Sequence, residues 1–206
     1  MSWDGVSNPP PFDPPPFGRP RSARPPYAGR VTYPPVPVPE LPDRATLTPI
    51  ALCFPLREVD GVSEVLLGLK KTGFGIGRMV GLGGHVEPGE SDAEAACREL
   101  AEESGLVTTP DDVVLAGVVD FHFPARPEWS MATALFTTRR WRGSPAETAE
   151  IAPGWFPHEA LPVDRMWADA EHWLPRMLAG QRWHTVVVLA DDNTTVRAAW
   201  QQPLTP

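Results

Sequence analysis

The chain has 206 residues, with 26 acidic side chains against 18 basic ones and a formal net charge of −8. That length holds one domain of ordinary size plus an appendage. The acidic balance argues against gripping nucleic-acid backbone, which needs a basic footprint, and no stretch has the roughly 18 successive apolar residues of a membrane span.

Residues 1 to 45 hold 14 of the 27 prolines. Proline removes backbone donors and favours extended polyproline II, so this stretch reads as a Pro-rich disordered tail. Two other readings stand beside it. It could be a docking ligand for an aromatic-lined groove of an unidentified partner, or it could lie along the domain through Trp3, Phe12, Phe17 and Tyr27. No basic start followed by an apolar run opens the chain, so no secretory signal is expected. A soluble cytoplasmic protein follows as the expectation.

The folded domain is expected over residues 46–206. Thr46 to Phe54 reads as a strand, Arg57 to Ser63 as a turn around Asp60-Gly61, and Glu64 to Leu69 as the returning strand of a hairpin. Lys70 to Arg78 is a glycine-rich loop, and Met79 to Leu82 a short extended piece leading into Gly83-Gly84. Asp112 to Phe123 and Met131 to Thr138 read as strands, Ser144 to Ala152 as a polar loop, and Gly154 to Phe156 as a short strand. Trp167 to Ala179 contains a helix that ends at Gly180 and either starts late or kinks at Pro175. Trp183 to Leu189 and Thr194 to Trp200 pair across Asp191-Asp192-Asn193. Many strands with one strong helix and a second late one make an α/β sandwich. Cys53 and Cys97 lie in segments that read as buried, so reduced core thiols are expected rather than a disulfide.

The stretch Gly84 to Leu106, GHVEPGESDAEAACRELAEESGL, carries the chemistry. Ser91 and Glu94 form a capping box, residues 92 to 104 favour helix, and Gly105 fits a left-handed helix end. Glu99, Glu102 and Glu103 stand at i, i+3 and i+4, which puts three carboxylates on one face. Such like charges repel, and a hard divalent cation reverses that cost because it takes oxygen ligands. A solvated acidic helix face is the bland alternative.

The spacing Gly84, five residues, Glu90, seven residues, then Arg98 to Leu106 resembles the Nudix box, with all nine constrained positions filled. The stretch from Leu66 to Glu90 is similar to the MutT-type branch of that family, and within it most similar to the oxidised-purine nucleoside triphosphatases. So is the stretch from Trp155 to Leu178. The likeness covers about residues 46 to 201. It implies a Nudix α/β/α sandwich with a mixed central sheet, and hydrolysis of a nucleoside diphosphate derivative with Mg²⁺ or Mn²⁺. For a nucleoside triphosphate, the products are the monophosphate and pyrophosphate. ADP-ribose or a dinucleoside polyphosphate is the alternative substrate, and a non-catalytic nucleotide-sensing module the alternative role.

Carried onto this chain, the resemblance makes Gly84 (through its carbonyl), Glu99, Glu102 and Glu103 the metal ligands. Glu102 or Glu103 takes a proton from the attacking water, and Arg98 holds a box glutamate in place. Glu150 matches a further metal-site or base position and also reads as a solvated loop charge. On the substrate side, Trp167 matches a base-reading tryptophan, Asp169 the first of two aspartates, and Lys70 a pocket lysine, though Lys70 also reads as an exposed strand-end lysine. The second aspartate is Ala170 here, and a base-reading asparagine is Val80. Phe74 and Phe121 either line the same pocket or belong to the core.

Overall fold

The computed structural model describes residues 41–204. The Pro-rich stretch therefore lies outside the described residues as far as position 40. Residues 41–45 are described, and Arg44–Thr46 form a 3-10 turn capped by Asp43.

Strand β1 spans Thr48–Val59, longer than the expected strand ending at Phe54. Pro55 does not stop it, for a physical reason. Residues 48 to 55 pair in parallel with β6 (Met131–Thr138), and antiparallel pairing to β2 (Val62–Lys70) begins at Leu56. The missing Pro55 N–H thus falls where the strand changes partner. The expected seven-residue turn shrinks to Asp60-Gly61, whose φ values of 51° and 77° suit a two-residue hairpin turn closed by Val59 and Val62.

The extended piece before the box divides at Gly81. Strand β3 (Met79–Val80) pairs with β2, and β4 (Leu82–His85) pairs with β1. Helix α1 (Asp92–Ser104) forms as expected: Ser91 and Glu94 make the reciprocal capping box, and Gly105 closes the helix at φ 74°. Strand β5 (Val113–His122) pairs antiparallel with β6 and parallel with β8 (Trp183–Leu189), and β8 pairs antiparallel with β9 (Val196–Pro203). Strand β7 (Ile151–Pro157) is longer than the expected Gly154 to Phe156 because seven of its residues pair with β2. Helix α2 (Ala170–Leu178) starts late and contains Pro175.

The sheet order is β3-β2-β1-β6-β5-β8-β9, with β4 beside β1 and β7 beside β2. It is the expected mixed sheet with one helix on each side. Alternation along β1 sends Ala51 and Cys53 into the layer with Ala96 and Leu100 of α1, and Phe54 and Leu56 into the layer with Trp173 and Leu174 of α2. Leu100 is fully buried, so truncating it to Ala costs about 2–5 kcal/mol. Both cysteines are free and buried, and burial pushes the Cys53 thiol up to about 12. Among the described residues, no helix is long and apolar enough to cross a membrane.

Candidate active site

The carboxyl-bearing face of α1 looks onto β4 and onto the loop before β7. Glu99, Glu102, Glu103 and Glu150 line one cleft of about 210 Å³ together with Thr148 and Ala149. The four glutamates predicted from sequence therefore converge.

Arg98 organises one side of this cleft. Its Nε and one terminal nitrogen donate to the two oxygens of Glu90 at 2.9 Å each. The other terminal nitrogen donates to Glu99 at 2.8 Å and, at 3.4 Å, to Glu102. The His85 carbonyl accepts a further bond of 2.9 Å, tying α1 to the end of β4. The hydrogen bond from Arg98 holds the Glu90 carboxyl below the usual carboxylate range. Bonds to Glu90 and Glu99 raise the guanidinium in turn.

Lys70 organises the other side. Glu103 sits in the last turn of α1, where the helix dipole disfavours negative charge and the helix itself supplies no basic residue. The compensation comes from β2 and β4. Lys70 Nζ donates to Glu103 at 3.0 Å and to Glu150 at 3.5 Å, and the Gly83 N–H donates to Glu103 at 2.8 Å. Burial pushes the Glu103 carboxyl upward against the pull of Lys70 and Gly83. Burial works against the Lys70 ammonium, but the hydrogen bonds and charges of Glu103 and Glu150 together outweigh it and raise it.

Glu150 reaches the cleft because its loop is pinned. The Ala146 N–H donates to the Ser104 carbonyl at 2.9 Å, and the Lys71 N–H to the Glu150 carbonyl at 2.7 Å. Lys71 Nζ binds Glu147 and the Thr148 carbonyl, both at 2.7 Å. The Thr148 hydroxyl accepts from the Glu150 and Ile151 N–H groups. Sequence reasoning missed Lys71 and Thr148. An adjacent pair of the chain's only lysines was the one available signal.

The donor set fits a hard cation. It is all oxygen, and Gly84 is where a side chain would spoil it: a Cβ there would stand 2.5 Å from Glu99 Oε1. Among the described residues, no three ligand groups are already drawn together into a cation cage. Mg²⁺ in phosphate sites commonly uses only one or two carboxylates and completes its shell from substrate and water.

A second group lies on the α2 side. Phe74 and Trp167 are stacked with centroids 5.3 Å apart, and the Arg78 guanidinium lies 5.1 Å from the Trp167 ring centroid. Phe74 is 53% exposed, so it is no core residue, whereas Phe121 is half-buried against the core. Trp129 and Phe123 meet Phe74 edge-on at 5.5 and 6.5 Å. Neither was singled out from the sequence, because nothing local places the loop after β5 beside the glycine-rich loop. Asp169 is buried, and its Oδ2 accepts from the Trp173 indole at 2.9 Å. Burial pushes its carboxyl up to about 6. Ala170 is buried with the α2 core, and Val80 packs half-buried against the other layer.

The pattern described as NUDIX domain matches residues 47–177. The chain belongs to the Nudix family. It is a Nudix hydrolase, and it is 44% identical over 119 residues to the oxidized purine nucleoside triphosphate hydrolase of Danio rerio, covering 58% of this chain and 74% of that protein. It is 40% identical over 131 residues to the Mus musculus protein of the same name, covering 64% and 82%. Among solved structures, the MutT protein of Bacillus halodurans superimposes with a TM-score of 0.63 at 20% identity, over 77% of this chain and all of that one, a likeness of fold.

Proposed function

We propose that this Nudix hydrolase cuts a nucleoside triphosphate to the monophosphate and pyrophosphate with Mg²⁺, Mn²⁺ being a possible substitute. The observation that carries this reading is the convergence of Glu99, Glu102, Glu103 and Glu150 on one cleft held open by Arg98 and Lys70. Oxidised purine deoxynucleoside triphosphates are the first substrates to test, given the two animal relatives named for that activity.

Glu99, Glu102, Glu103, Glu150 and the Gly84 carbonyl would hold the cation. When bound, it supplies charge neutralisation for the phosphate chain and a more acidic water. The chain's own residues do the rest. Arg98 fixes Glu99 by a bond of 2.8 Å and anchors itself on Glu90. Lys70 and the Gly83 amide fix Glu103. Glu102 is 61% exposed and, among the described residues, its side chain has one long contact, to Arg98, so an oxygen not engaged by the cation is free to take a proton from attacking water. Glu103 is bound on both oxygens and is better suited to holding than to proton transfer. Trp167 offers a face for the base, against which Phe74 is stacked, and Lys70 stands in the cleft on Glu103 and Glu150, where it can meet the phosphate chain. Asp169 sets the start of α2 through Trp173 and so positions the adjacent segment that carries Trp167.

A substrate panel with Mg²⁺ tests the reading: normal and oxidised (d)NTPs, ADP-ribose and dinucleoside polyphosphates, with product analysis. Monophosphate and pyrophosphate from a triphosphate are expected. Turnover confined to ADP-ribose or dinucleoside polyphosphates reassigns the substrate. Nucleotide binding without metal-dependent turnover replaces catalysis by sensing.

A further inference from the structure

The contact between Phe74 and Trp167 differs from its neighbours. The two planes are 19° apart, whereas the other ring pairs of this cluster meet edge-on at 70° to 78°. Two rings with centroids 5.3 Å apart are already in contact and leave no gap for a third.

The loop that carries Phe74 is tied down at its base and exposed at its tip. The Lys70 N–H donates to the Arg78 carbonyl at 2.9 Å and the Gly77 N–H to the Lys70 carbonyl at 2.8 Å. Arg78 also donates to the Met166 carbonyl at 3.0 Å, which ties the loop to the segment bearing Trp167. Phe74 and Ile76, at the tip, are 53% and 66% exposed. A ring that is half in water and lies flat on an indole is held by that stack and by the edges of Trp129 and Phe123.

We propose that Phe74 occupies the base-stacking face of Trp167 in the free protein and must leave it when a nucleotide base binds. This rests on Trp167 being the base platform, as the proposed function has it. The cost of leaving is incurred before any base is read. It therefore weakens every nucleotide by one common factor, the fraction of molecules with the face open. A stacked aromatic pair favours the closed form by about two- to twelvefold. A pocket wall behaves differently: it touches the base, strengthens binding, and does so by an amount that depends on the base.

Calorimetric titration of the full chain with AMP, GMP, CMP and UMP separates these cases without relying on turnover. In Phe74→Ala, all four dissociation constants are expected to fall by the same factor, about three- to thirteenfold, the inverse of the open fraction. Phe74→Leu, which keeps apolar bulk but no flat ring, is expected to follow. In a Trp167→Ala background, removing Phe74 is expected to change nothing. Dissociation constants that rise in Phe74→Ala, or that change by base-dependent factors, overturn the inference while leaving Trp167 as the platform. If Trp167→Ala alone binds all four nucleotides as tightly as the wild type, the platform itself is lost, and this inference with it.

Discussion

Arg98 grips Glu90 through two parallel bonds of 2.9 Å, one to each carboxylate oxygen. That fork sets the plane of the guanidinium and points its remaining nitrogen at Glu99, 2.8 Å away. Glu90 has no direct place in the cleft, yet it determines where a cleft carboxylate stands. Arg98→Lys keeps the charge but loses the fork, and Glu90→Gln weakens the anchor. Each is expected to lower kcat by about 10–100-fold, as loss of supporting partners around a metal site does. The double variant is expected to fall no further than the worse single one, a non-additivity read from steady-state kinetics.

Gly84 and Gly83 separate a site effect from a folding effect. At Gly84 an added Cβ meets the Glu99 carboxylate at 2.5 Å, and that side chain can swing away. At Gly83 it meets the Ala51 carbonyl oxygen at 2.1 Å and the Leu52 Cα at 2.8 Å, which are backbone. Gly84→Ala is therefore expected to keep its melting temperature within a few degrees and lose most of its turnover. Gly83→Ala is expected to fold poorly. Melting curves beside activity assays of the two proteins check this.

Asp169 gives a pH signature. Its carboxyl is buried and pushed from an ordinary 3.8 up to about 6. The folded protein therefore binds this proton more tightly than the unfolded chain. The Asp169 contribution is at its most favourable below pH 4, declines as the pH rises from 4 to 6, and stays low above that. The decline amounts to roughly 3 kcal/mol for a shift of this size. Urea unfolding of wild type and Asp169→Asn between pH 4 and 7 is expected to show the wild type losing stability relative to the variant across that window.

Cation binding has a readout that does not depend on catalysis. A ligand that binds only the folded state at a hundred times its Kd stabilises it by about 2.7 kcal/mol, or roughly 5–10 °C in Tm for a domain of this size. Mg²⁺ is expected to raise the wild-type melting temperature. The rise is expected to shrink in Glu99→Gln and Glu103→Gln, and EDTA is expected to abolish it.

The sequence made some of this legible. The Ser91–Glu94 box, the Gly105 end and the three-glutamate face of α1 are all local, and all stand where local rules put them. The hairpin was visible in Asp60-Gly61, but its length was not. Pro55 looks like a strand end until the change of partner at Leu56 shows why its missing N–H costs nothing. The far side of the cleft required contacts between distant segments. Lys70 and Glu103 are 33 residues apart and Lys71 and Glu147 are 76 apart, separations over which no periodicity speaks. The aromatic group was half legible. Phe74 and Trp167 could be named, but Trp129 joins them only through the fold of the loop before β6.

Glu103 stands at the centre of the account: buried, bonded to Lys70 at 3.0 Å and to the Gly83 amide at 2.8 Å, and facing the cleft. The most direct measurement is pyrophosphate release from a nucleoside triphosphate with saturating Mg²⁺, for wild type against Glu103→Gln, with circular dichroism on both. Metal-dependent release by the wild type and a loss of about 100-fold or more in a folded variant are predicted, at or beyond the 10–100-fold that partners supporting a metal site contribute, because Glu103 is proposed as a ligand itself. Undiminished release by Glu103→Gln, or release by the wild type that ignores EDTA, would contradict the account.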